Sequence, residues 1–140
     1  FQVIHLCGKG KLDSSLTDTK GYVQYEYIKD ELPDLFALAD VVISRAGANA
    51  ICEISALHKP NLLIPLSANA SRGDQILNAA SFEKQGFSYV IKEEELTSEK
   101  LLAAITSVDE NKETYKQAMS QSNQQDAVVK VADIIEKACK

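Results

Sequence analysis

The sequence predicts an α/β fold built on a doubly wound parallel sheet. Three observations lead there. Short apolar runs alternate with amphipathic stretches along the chain, the order expected of strands joined by right-handed helical crossovers. Two runs, Val41-Val42-Ile43 and Leu62-Leu63-Ile64, are apolar at successive positions, as in strands covered on both faces. The length of 140 residues, with 45% hydrophobic and 25% charged residues, suits one domain with a real core.

The first strand is expected over Gln2 to Leu6, and Phe1 to Leu6 reads as buried. A domain rarely begins mid-strand. The reading therefore expects residues 1–140 to be one domain of a longer chain, without its own first strand and the material upstream. A second strand is expected over Tyr22 to Tyr25. A helix over Asp30 to Leu38 follows, with Leu32, Leu35, Phe36 and Leu38 at helical spacing. Next come a strand over Val41 to Ser44 and a helix over Gly47 to Leu57, carrying Ala50, Ile51, Ile54 and Leu57. A strand over Asn61 to Pro65 leads to a helix over Gln75 to Gln85, with Ile76, Leu77, Ala80 and Phe82, stopped by Gly86. A strand over Phe87 to Ile91 precedes a helix over Ser98 to Ser107. The last helix is expected from about Asp126 to Ala138, linked to the previous one through the polar stretch Gln117 to Gln125.

Composition narrows the function. A formal net charge of -5 argues against nucleic acid as a partner, which would call for a basic face. No apolar run approaches a membrane span and no signal-peptide pattern opens the chain. Cys7, Cys52 and Cys139 are too few and too scattered for a disulfide framework or a zinc site, so a reducing, cytoplasmic setting is the default. No nucleophile triad and no metal cluster is visible, and no cofactor is expected. His5 reads as a structural histidine, His58 as exposed, Cys52 as inert, and Glu93-Glu94-Glu95 as a solvated turn.

In a sheet of this kind ligands bind beyond the carboxyl ends of the strands, so four loops matter. Gly8-Lys9-Gly10 is either a tight turn or a place where backbone approaches a ligand. Tyr27 could stack on a planar base and Ile28 offer backbone groups to its edge; equally, both could be core, with Asp30 a helix cap. The block Asp40 to Glu53 runs from a strand through Gly47 into a helix, whose free N–H groups and dipole make an anion site fit for a diphosphate. Glu53 could accept two hydrogen bonds from a ribose diol, or pair with Arg45 at the surface. In the segment Ser67 to Ala79, a small polar loop running into a helix, Asp74 and Gln75 suit sugar hydroxyls, or Asp74 caps the helix and Gln75 is solvated.

With these loops in order, the chain resembles the C-terminal domain of the family of UDP-N-acetylglucosamine transferases that convert lipid I to lipid II (the MurG family). The resemblance rests on Gly8-Lys9-Gly10, Tyr27-Ile28, the Asp40-to-Glu53 block followed by Pro60 and Pro65, and Asp74-Gln75 with Asn78-Ala79. It implies the C-terminal half of a GT-B glycosyltransferase, two Rossmann-like domains with a cleft between them. By it, Tyr27 caps the uracil and the Ile28 backbone reads its edge. Gly47, Ala48 and Asn49 line the diphosphate with Arg45 nearby, Glu53 binds the ribose, and Asp74 and Gln75 hold the N-acetylglucosamine. The implied reaction is inverting transfer from UDP-N-acetylglucosamine to lipid I, with no divalent metal bound as GT-A enzymes bind one. The resemblance assigns acceptor, base and membrane contact to an N-terminal domain absent from this sequence, so turnover is not expected of the chain alone. It places the full protein in the cytoplasm, peripheral on the inner face of the membrane. Asp74 stands where members often carry Gln or His, and Ala46 where some carry serine. Two alternatives stay open: the donor half of another GT-B transferase (glycolipid or dolichol-pathway), which looks similar, and a non-catalytic UDP-sugar-binding module, which the Arg45-to-Glu53 block fits less well.

Overall fold

The structure, a computed structural model, describes residues 1–70, 72–122 and 127–138. Ser71 of the fourth loop, Asn123 to Asp126 of the expected link and last helix, and Cys139 lie outside the described residues. The chain divides into two compact units, Phe1–Leu38 and Ala39–Lys140, each described by itself.

In the first unit, strand β1 (Val3–Leu6) pairs in parallel with β2 (Tyr22–Tyr25), with Val3 opposite Tyr22 and Leu6 opposite Tyr25. A short 3-10 turn at Ser14–Leu16 lies between them, and helix α1 (Leu32–Leu38) follows. Pro33 sits in the first turn of α1, where its missing N–H costs nothing. The expectation of a buried first strand is corrected: every side chain of β1 is exposed in this unit. Its apolar residues Val3, Ile4 and Leu6 have only β2 as a strand neighbour among the described residues. His5, on the same strand, is exposed and shares a 2.7 Å hydrogen bond with the Tyr22 hydroxyl.

The second unit holds a three-stranded parallel sheet in the order β3 (Val42–Ser44), β4 (Asn61–Leu63), β5 (Tyr89–Val90). Helices α2 (Ala48–Ala56), α3 (Asp74–Lys84), α4 (Ser98–Glu110), α5 (Lys112–Ser120) and α6 (Ala127–Ala138) complete the element order. The run Asn61-Leu62-Leu63 is buried at every position because β4 is covered on both faces. Leu63 joins Ala46, Ile51, Ala79, Phe82, Phe87 and Met119 in one cluster, where Phe82 and Phe87 meet edge to face at 5.7 Å. Leu62 and Ile64 join Ile91 and Ala104 in a second cluster on the side of α4. The parallel sheet is as expected and β4 is covered on both faces, but the same expectation for Val41-Val42-Ile43 is corrected: Ile43 of β3 is 48% exposed.

Two details differ. Helix α3 buries Ala79 and Phe82, while Ile76, Leu77 and Ala80, read at the same spacing, are exposed, as are Leu38 and Leu57 on the two helical stretches before it. The stretch expected to be a link from Gln117 is helical as far as Ser120, within α5, because Met119 has a pocket to fill in the first cluster.

Candidate functional site

The loops at the carboxyl ends of β3, β4 and β5 are tied together by side chains. After β3, the fully buried Ala46 anchors the turn while Arg45 beside it stays exposed. Arg45 donates from one terminal nitrogen to the Ile64 carbonyl at 3.2 Å and from the other to Glu93 Oε1 at 2.7 Å. Glu93 lies just after β5, and its Oε2 accepts the main-chain N–H of Ser67, after β4, at 3.2 Å. The Arg45 guanidinium and then the Ser67 N–H hold the Glu93 carboxyl below its ordinary value of 4.5. From α3, Gln75 Oε1 accepts the Leu66 N–H at 3.1 Å and Asn78 Nδ2 donates to the Ala46 carbonyl at 3.1 Å.

Helix α2 starts beside this network. Gly47 holds the cap position with extended backbone (φ -69, ψ 140), and among the described residues no side chain bonds to the first-turn N–H groups. Free N–H groups and the positive end of the dipole at a helix start favour an anion. Gly47 is required neither by its φ nor by crowding: a Cβ placed there would meet nothing within 4 Å. Ala48 and Asn49 follow on the exposed first turn. Asn49 and Glu53, four residues apart, share one face of the helix, and both are exposed. Among the described residues nothing hydrogen-bonds or ion-pairs with the Glu53 carboxylate. The alternative of an Arg45–Glu53 ion pair is therefore corrected: Arg45 pairs with Glu93.

At the start of α3 the cap position belongs to Gly73, whose φ of 86 lies in the left-handed region that only glycine adopts freely. Asp74 is the first helical residue, exposed, so the alternative that it caps the helix is also corrected. Its charge instead complements the dipole from the first turn.

Tyr27 and Ile28 follow β2 in the first unit. Tyr27 is 72% exposed, with Lys29 Nζ 5.8 Å from its ring centroid, and Ile28 is half-buried; the alternative that both are core fails for the tyrosine. The loop after β1 turns tightly, Lys11 N–H donating to the Gly8 carbonyl at 3.2 Å, and Gly10 N–H reaches Glu26 Oε1 at 2.7 Å.

The structure thus gathers Arg45, Gly47, Ala48, Asn49, Glu53, Asp74 and Gln75 in one unit and leaves Tyr27 and Ile28 in the other. Sequence reasoning missed Glu93, taken for a solvated turn. Its position directly after a strand end was the one pointer to it. Cys52, read as lying among apolar neighbours, is exposed.

The family model of the glycosyltransferase family 28 C-terminal domain matches residues 1–137. The chain is 68% identical over 137 residues to the UDP-N-acetylglucosamine--N-acetylmuramyl-(pentapeptide) pyrophosphoryl-undecaprenol N-acetylglucosamine transferase of Lachnoclostridium phytofermentans, covering 98% of this chain and 39% of that protein. The protein of the same name from Clostridium perfringens is 62% identical over 138 residues, covering 99% of this chain and 39% of that protein. The chain therefore spans 39% of the length of these relatives. Among solved structures, the crystal structure of Acinetobacter baumannii MurG superposes with a TM-score of 0.75 at 22% identity, over 98% of this chain and 41% of that one. That likeness shows the fold.

Proposed function

The chain belongs to the glycosyltransferase family 28 C-terminal domain family, and from that membership we propose that it is the donor-binding half of a GT-B enzyme. The enzyme transfers N-acetylglucosamine from UDP-N-acetylglucosamine to lipid I with inversion, forming lipid II in peptidoglycan synthesis. The names of its relatives, which specify this donor and acceptor, support the reading.

The observation that carries it is the start of α2. Its first-turn N–H groups have no side-chain cap, and open space lies over Gly47. A diphosphate accepted there gains hydrogen bonds and the favourable end of the helix dipole. The same groups stabilise the charge that grows on the leaving UDP, which is electrostatic preorganisation. The exposed carboxylate of Glu53 takes the ribose diol. Asp74 and Gln75 are assigned the sugar hydroxyls, and in the other unit Tyr27 and the Ile28 backbone are assigned the uracil, by the family resemblance alone. Among the described residues no helix is long and apolar enough to cross a membrane. In this reading acceptor recognition and contact with the inner face of the membrane belong to the N-terminal domain of the full-length enzyme.

Calorimetric titration of the full-length protein with UDP-N-acetylglucosamine, UDP and ADP tests the proposal. The uridine ligands bind and ADP does not, and Glu53→Ala weakens UDP binding about tenfold or more, as expected for lost bonds to a charged group. Equal binding of ADP and UDP, or a Glu53→Ala protein indistinguishable from wild type, would sink it.

A further inference from the structure

The short acidic turn after β5 is where the structure holds something the sequence reading passed over. One carboxylate, that of Glu93, bonds with both of its oxygens, and to two different loops. Oε1 takes the Arg45 guanidinium at 2.7 Å and Oε2 takes the Ser67 N–H at 3.2 Å. Arg45 is held a second time by the Ile64 carbonyl at 3.2 Å. Its planar fork therefore has its direction set from two sides. The side chains remain 48% and 34% exposed, so a ligand can reach the guanidinium while it is held. The neighbouring acidic residue Glu95 serves another purpose, facing Lys92 and Lys100 at 3.9 and 3.6 Å.

We propose that Glu93 is a positioning residue of the donor site, fixing Arg45 and the loop after β4 in the arrangement that receives the diphosphate and sugar. The proposal rests on the donor-site reading above. Its logic is geometric. Loops after adjacent parallel strands form the ligand-binding edge of such a sheet. Here the loop after β5 supplies the clasp for the loops after β3 and β4. Without Glu93, Arg45 loses one of its two holds and the loop after β4 loses the bond from the Ser67 N–H to this carboxylate. Glu93 also offsets the charge of Arg45, so the diphosphate meets a cation that is oriented and half-compensated, beside the uncapped N-terminus of α2.

A residue that orients a binding group, without touching the reacting atoms, alters the affinity held in common by ground and transition states. Its loss raises KM and spares kcat. Steady-state kinetics of the full-length enzyme, with donor and lipid I varied in turn, provide the test. In Glu93→Ala the KM for UDP-N-acetylglucosamine rises about tenfold, the size expected for one charge-assisted hydrogen bond. The KM for lipid I stays within about twofold of wild type, and so does kcat. Glu93→Gln keeps an acceptor for one of the two donors and gives an intermediate rise of about threefold. A purely structural role gives the opposite split, a smaller active fraction with donor KM unchanged, and overturns the proposal. Should Glu93→Ala fail to fold, the isosteric Glu93→Gln decides alone: a raised donor KM supports the clasp and an unchanged one overturns it. Failure of the wild-type protein to bind uridine nucleotides overturns the donor-site reading and this proposal together. Intact wild-type binding with an unchanged Glu93 variant overturns only the clasp.

Discussion

A single glycine shows how the residue scale separates fold from ligand. Gly47 adopts a φ open to every residue and has free space where a Cβ would stand. Gly47→Ala should therefore leave the fold intact, with a stability loss on the order of 1 kcal/mol or less from the poorer cap. The added methyl would lie where the diphosphate is proposed to approach, so UDP affinity should fall about tenfold, with a thermal melt and a UDP titration read side by side. A large drop in melting temperature with unchanged UDP affinity would show that the glycine serves packing. Sequence reasoning picked out Gly47 and Glu53 because a strand, a glycine and a helix in succession have a known electrostatic meaning. It could not pick out Glu93, because the partner of a charged side chain depends on which strands lie side by side. Arg45 and Glu93 are separated in sequence by two crossovers and meet only once β3, β4 and β5 are ordered.

At the scale of elements, the strands were legible and the helix faces less so. Leu62-Leu63-Ile64 announces its strand by being apolar at successive positions, whereas α3 offers several apolar residues and hides only Ala79 and Phe82. Helix α5 was the hardest. Its residues Lys112 to Ser120 are mostly polar, and a helix with one buried methionine has little periodicity to read. Met119 is 1% exposed, among Ala46, Leu63, Phe82 and Phe87, with Tyr115 and Ala118 of its own helix at the margin. Met119→Ala should cost about 2–5 kcal/mol by lost burial and cavity. Leu77→Ala, at a position 72% exposed, should cost less than about 0.5 kcal/mol. Urea midpoints with unchanged slopes would measure both. Equal costs at the two sites would mean that α5 does not dock as described.

For the molecule as a whole, the parallel α/β architecture followed from the alternation of elements, while the division at Leu38 and Ala39 had no signature in composition. The charged groups of the second unit set a pH range for stability. Glu93 and Glu99 are held below their ordinary value of 4.5, Glu93 by Arg45 and Ser67 and Glu99 by the main chain and Thr97 at its helix start. A depressed carboxyl stabilises the fold above its unfolded value and ceases to do so as pH falls through the lowered folded value. Lys112, raised by Asp109 and then Asp40, contributes below 10.5 and loses that contribution as pH climbs past it. Tyr115, raised by burial, adds a penalty once the unfolded chain can ionise above 10.0. The melting temperature should therefore be flat between these limits, falling on the acid side below 4.5 and on the alkaline side above 10.0. A melting curve series across pH checks this, and a maximum in the acid limb would contradict it.

The placement of β4 has one more consequence, concerning chain length. Because Leu63 feeds one layer and Leu62 and Ile64 the other, the strand obeys a parity rule. Loss or gain of one residue between Pro60 and Ile64 would send each side chain to the opposite layer, exchanging two sets chosen for different surroundings. Loss of two would restore the sides but break the pairing with β3 and β5. The loop after Leu66 lies outside this register, so a change of length there incurs neither penalty while β4 keeps count.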